Sequence, residues 1–99
     1  MAKYDVYPNP EGAGYLLDTQ TDLLDGLNTR VVVPLLPANL APAPAQRLNP
    51  SFVIDGLTVV MVTQFLAAVP ASILATPVAN LSRSFADITN ALDMVFQGF

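Results

Sequence analysis

A chain of 99 residues is long enough for one small core, and the absence of cysteine and histidine excludes disulfide stapling, zinc fingers, thiol nucleophiles and imidazole acid-base chemistry. Its four cations, Lys3, Arg30, Arg47 and Arg83, are scattered along a chain of net charge −4, which argues against an autonomous nucleic-acid surface; the eight acidic residues fall singly, without calcium-loop spacing. With 53% apolar residues, no secretion-signal stretch after Met1 and no unbroken apolar run of membrane-spanning length, the expectation is one soluble, cytoplasmic domain over residues 1–99, its apolar surplus buried in a core and a protein interface.

Tyr4-Asp5-Val6-Tyr7 alternates, turn formers crowd Pro8 to Gly14, and Tyr15-Leu16-Leu17-Asp18 reads as the return strand of a hairpin. Thr21-Asp22-Leu23-Leu24-Asp25-Gly26 reads as a loop or single turn, its leucines tucked into the core, with a binding rim as the alternative. Arg30 to Leu36 is a β-branched run, and Pro34 places that strand at an edge or bends it, because proline removes a ladder donor. Pro37 to Pro50, rich in proline and alanine, reads as an extended surface crossover.

Phe52 to Thr63 carries Asp55-Gly56 between two β-rich runs, a strong sign of a hairpin with a type I′ turn. Its second arm, apolar on both faces around Val59 to Val62, should be a central strand, buried between two layers or between a helix and a partner subunit. Between Phe65 and Ala75 Pro70 disrupts any helical stripe, so a loop entering a short strand near Ser72-Ile73-Leu74 is expected.

The last element reads as a helix. Ser82 or Ser84 can cap it, Ser84 and Asp87 have the outline of a capping box, and Leu81, Phe85, Ile88, Leu92, Val95 and Phe96 recur on one face. Gly98 suits the helix end, with Phe99 just beyond. Met94 reads as ordinary packing or dimer interface, and Phe96 equally as core or contact residue. A chain that ends apolar either docks its terminus on its own domain or presents it to something else.

In order and in register, Gln20 to Asp25, Arg30 to Leu35, Ala68-Val69-Pro70, Val78 to Ser82 and the ending Asp87 to Phe99 resemble the CcdB toxins of toxin-antitoxin modules. The resemblance implies an α+β, mainly β fold: an SH3-like, barrel-like antiparallel sheet of the CcdB/MazF type, with a small second sheet and a C-terminal helix. It implies a homodimer that is not an enzyme and needs no metal or other cofactor. Such a dimer enters the DNA gyrase A subunit and traps the cleavage complex. A CcdA-like antitoxin removes it from gyrase, and operator DNA is bound only through the complex with that antitoxin.

By the same resemblance, Gln97, Gly98 and Phe99 correspond to the gyrase-binding ending, usually Trp-Gly-Ile, and Leu23, Leu24, Asp93 and Phe96 to the antitoxin-binding surface. Glutamine lacks the π face with which that tryptophan stacks on a gyrase arginine, a contribution of about 0.5–2 kcal/mol. Retained fold and dimer with reduced poisoning is therefore expected. Compensation by Phe99 or a changed target are alternatives, as is a non-poisoning homologue that serves as antitoxin partner in autoregulation. A MazF-like endoribonuclease using Arg30 and Asp18 is the enzymatic alternative.

Overall fold

Residues 1–98 are described by a computed structural model, so the expectations placed on Phe99 lie outside the described residues. The expected first hairpin forms from β1 (Asp5–Pro8) and β2 (Tyr15–Asp18), with Val6 opposite Leu17 and Pro8 opposite Tyr15. Its loop closes at Gly14, whose φ is 82° and whose missing side chain leaves room for the Leu35 carbonyl.

The next strand, β3 (Thr29–Pro37), is the centre of the sheet and not an edge. One side of it pairs with β2 along Val32 to Leu35. The other side changes partner: Thr29 to Val32 face β6 (Ala67–Pro70), and Leu35 to Pro37 face β5 (Leu57–Met61). Val31 offers its carbonyl to Thr19 on the β2 side, whereas Pro34 offers its own to Val62 on the β5 side. The donor that Pro34 lacks therefore falls at the break between β6 and β5, opposite Val62, whose carbonyl accepts from the Phe65 N–H instead.

With β4 (Ser51–Ile54) and β7 (Ala79–Asn80), the strand order is β4-β5-β3-β2-β1-β7, with β6 branching from β3. The pairings are antiparallel, and the sheet curls into a nearly closed barrel. The β4–β5 hairpin, carried by the last third of β3, takes the place of the small second sheet. Asp55 and Gly56, at φ 49° and 79°, make its type I′ turn, and β5 is internal as expected.

Successive residues of the first three strands serve opposite faces of the sheet. Val6, Leu17, Val33 and Leu35 join Phe52, Ile54, Val59 and Met61 in a core closed by Ile88 and Ala91 of the helix α1 (Phe85–Gln97). Tyr7, Leu16 and Val32 point the other way and are covered by Leu74, Val69 and Ile73. Both faces are thus apolar at this end of the sheet, and the covering segment on the second face comes from a region that reads as irregular.

That region corrects one expectation. The strand lies at Ala67–Pro70, and Ala71–Ile73 is a 3₁₀ turn. Two alanines with a proline carry little strand propensity of their own, and pairing with Thr29 to Val32 makes this segment extended.

The capping box is also absent. Ser84 has ψ 21°, outside the extended geometry an N-cap needs, because Ser82–Ser84 already forms a 3₁₀ turn, and its side chain makes no cap hydrogen bond. The other end is as expected: Gly98 is left-handed at φ 82° and its N–H donates to the Met94 carbonyl. The apolar stripe is only half used, since Ile88 and Ala91 are fully buried and Leu92 packs beside them, while Phe85 and Phe96 at the two ends stay exposed.

Candidate functional site

Of the large apolar side chains left exposed, Leu23 and Leu24, with Leu27 beside them, lie in one of the segments read as contact regions and Phe96 in another, while Leu40, Val53, Phe65 and Phe85 are among those spread over other elements. The first lies between β2 and β3. Asp22–Leu24 forms a 3₁₀ turn whose N-cap, Thr21, accepts from the Leu23 N–H through Oγ1, and Asp25 N–H donates to the Asp22 carbonyl. A short turn with its own caps has no need to bury its side chains. Leu23 is 92% exposed, and Leu24 and Leu27 are about half exposed. The core reading of Leu23 and Leu24 is therefore corrected: Leu23 stands in solvent and Leu24 is half-exposed.

The second segment is the end of α1. Asp93 and Met94 are half-buried, whereas Phe96 (70% exposed), Gln97 and Gly98 stand in solvent. This settles the alternatives for Phe96: it is a surface residue. The structure brings Asp93, Phe96, Gln97 and Gly98 together on one helix end, and Leu23 and Leu24 together on one turn. The element most closely packed on α1 is the 3₁₀ turn at Thr63–Phe65, and the leucine turn is not among the elements packed closely on it.

Beneath the leucine turn lies a buried polar cluster that sequence patterning does not reveal. Asp18 ends β2 and Arg30 lies near the start of β3, and both side chains are fully buried. Arg30 Nε donates to Asp18 Oδ2 at 2.9 Å, with Nη2 at 2.6 Å from the same oxygen as an ion contact, and Nη1 reaches Asp25 Oδ1 at 3.4 Å. Burial pushes the Asp18 carboxyl above the ordinary aspartate range, opposed by Arg30 and by the Gln20 N–H that donates to Asp18 Oδ1. Arg30 and Asp18 are thus enclosed against each other, so the pair proposed for RNA cleavage has no open face toward a scissile phosphate.

Tyr7 is buried on the same face, and its hydroxyl donates to Asp5 Oδ2 at 3.4 Å. Burial, followed by the negative charges of Asp5 and Asp18, pushes its phenol up to about 12. Because the folded value is raised, the stability it contributes is complete below the ordinary value near 10 and is lost as pH climbs through about 12. Unfolding free energy should therefore fall by up to about 2–3 kcal/mol over that alkaline window. In Tyr7→Phe the slope should flatten and the late part of the phenolate absorbance rise should vanish; an unchanged slope would contradict the assignment.

A cleft of about 550 Å³ opens on the second face, lined by Asn9, Pro10, Glu11, Leu16, Val69, Pro70 and Ile73. Sequence reading missed it, because its walls come from the first hairpin loop and from the misplaced β6. No cluster of three metal-ligating side chains occurs among the described residues, and no helix among them is long and apolar enough to cross a membrane.

Fold and surface together define a class: a small, nearly closed antiparallel barrel with one C-terminal helix, displaying apolar side chains on an ordered turn and helix end while its strongest ion pair is sealed inside. The sequence matches the family model described as CcdB protein over residues 3–98, and the chain belongs to the CcdB family. That family comprises toxins of toxin-antitoxin modules, which poison gyrase and are not themselves catalysts.

Proposed function

We propose that this protein is a type II toxin whose homodimer binds the DNA gyrase A subunit through Gln97, Gly98 and Phe99 and traps the gyrase-DNA cleavage complex. A CcdA-like antitoxin contacts Leu23, Leu24, Asp93 and Phe96 and lifts the toxin from gyrase. The observation that carries this reading is the exposed end of α1, where Phe96, Gln97 and Gly98 stand in solvent on an ordered helix that Gly98 terminates. Apolar surface held this way is costly in water and is recovered only in a complex. The net charge of −4 fits operator contact supplied by the antitoxin, and the place of action is the cytoplasm.

Gln97 sets the strength of poisoning. With an amide where a π face would stack, trapping is weaker than in a tryptophan-bearing relative. The test is a gyrase-dependent DNA cleavage assay with the purified dimer, scored for linear product. Gln97→Trp should lower the concentration needed for half-maximal cleavage by about five- to tenfold, the equivalent of one good stacking contact. Cleavage that is absent for both proteins, with the dimer confirmed folded, would overturn poisoning.

A second reading, favoured by Gln97 itself, would then stand: a non-poisoning homologue that serves as antitoxin partner in transcriptional autoregulation. Its signature is tight antitoxin binding without gyrase binding.

A further inference from the structure

Leu23 gains almost nothing from folding at 92% exposure, and Leu24 and Leu27 gain only about half of what full burial would give, so the leucines by themselves hold the turn weakly. It is held from below by two buried side chains, Gln20 and Arg30. Gln20 is buried and fully used: its Nε2 donates to the Leu24 carbonyl at 3.3 Å and to the Thr29 carbonyl at 3.1 Å, and its Oε1 accepts from the Val31 N–H at 3.1 Å. Arg30 is anchored on Asp18 by one edge of its guanidinium and sends Nη1 out to Asp25 Oδ1. Asp25 is the first residue after the leucine pair and is itself 59% exposed at the side chain.

Two buried polar groups thus end on consecutive residues of one turn, Gln20 on the Leu24 backbone and Arg30 on the Asp25 carboxylate. The outer side is tied as well, since the Lys3 N–H donates to Asp22 Oδ1 at 2.8 Å and the Leu27 N–H to the Leu24 carbonyl at 3.1 Å. A loop of apolar knobs fixed in this way enters a complex already ordered, which lowers the entropy cost of association.

We propose that Gln20 and Arg30 form a latch, with Asp25 as its loop-side end, that positions Leu23 and Leu24 for the antitoxin; Arg30 is then a positioning residue for partner recognition and touches no partner. The proposal rests on the reading of this turn as the antitoxin surface. It goes beyond that reading by assigning a recognition role to residues sealed inside the barrel.

The test uses the intact dimer with Asp25→Ala, Asp25→Asn and Leu23→Ala, because Arg30 substitution is expected to destabilise the barrel itself. Binding of the C-terminal tail peptide of the cognate CcdA-like antitoxin is titrated, and amide hydrogen exchange is followed at Leu24 and Leu27. Asp25→Ala should leave the urea midpoint within error, speed exchange at both amides about tenfold and weaken peptide binding about fivefold, which is about 1 kcal/mol. Asp25→Asn, whose Oδ1 still accepts from Arg30, should recover most of both effects. Leu23→Ala should weaken binding with exchange unchanged.

If Leu23→Ala binds normally, the turn is not the antitoxin surface and the proposal falls with that reading. If Leu23→Ala weakens binding while Asp25→Ala changes neither exchange nor affinity, the latch alone is overturned. Faster exchange in Asp25→Ala with full affinity likewise overturns the latch as a recognition device.

Discussion

Replacing Arg30 with alanine should cost about 3–5 kcal/mol, a large share of the roughly 5–15 kcal/mol by which a small domain is stable. The loss comes less from the attraction removed than from what stays behind. Asp18 is fully buried, and without Arg30 its remaining partner is the Gln20 N–H. An uncompensated buried carboxylate either pays its desolvation or takes up a proton, and Asp18 already sits above the ordinary aspartate range with Arg30 in place. Replacing both members, Asp18→Leu with Arg30→Met, removes the charges together and should recover most of the loss, because apolar side chains of similar size suit that interior. Urea unfolding of the single and double variants decides the point; a loss below about 1 kcal/mol for Arg30→Ala would mean that the pair is hydrated.

Gly14→Ala should be the next most damaging single change, at roughly 2–5 kcal/mol. Two costs add there. The residue sits at φ 82°, and an added Cβ would overlap the Leu35 carbonyl oxygen and press on the Pro37 ring. Backbone cannot rotate aside as a side chain can, so the first hairpin would have to move off β3. Gly56 is an internal control, since its φ is 79° but a Cβ there meets open space. Gly56→Ala should therefore lose only the conformational part, about 1–2 kcal/mol. Equal losses at the two glycines would show that crowding against Leu35 contributes nothing.

Turn chemistry and periodicity made several parts of the fold legible. Asp55-Gly56 announced its hairpin, the turn formers from Pro8 to Gly14 announced the first one, and Ile88 with Leu92 and Gly98 marked a helix and its end. Each of these signals is local: positive φ is demanded by residues adjacent in the chain, and a 3.6-residue stripe lies within one element. The errors within the sheet have the opposite property. Ala67–Pro70 becomes a strand only because Thr29 to Val32 lie beside it, and Pro34 is tolerated inside the sheet only because its neighbour strand changes there.

The candidate site divides in the same way. Family resemblance through Gln20 to Asp25 and Asp87 to Phe99 named candidate contact regions, and the family itself is shown by the match over residues 3–98. Resemblance cannot say whether Leu23 or Phe96 is covered, because an apolar residue on a turn or at a helix end looks alike in either state. Asp25 could have been noticed as an acid placed directly after paired leucines, but not its link to Arg30, which depends on how β2 and β3 meet.

By itself, then, the sequence determined the two hairpins, the terminal helix and its glycine stop, and family membership, since these depend on neighbouring residues and on their order. Only the tertiary structure decided that Arg30 and Asp18 are interior, that β3 is shared between β5 and β6, and that Leu23 and Phe96 face water. Burial is a property of what lies on the other side of a face, and here that partner comes from strands and turns distant in the chain.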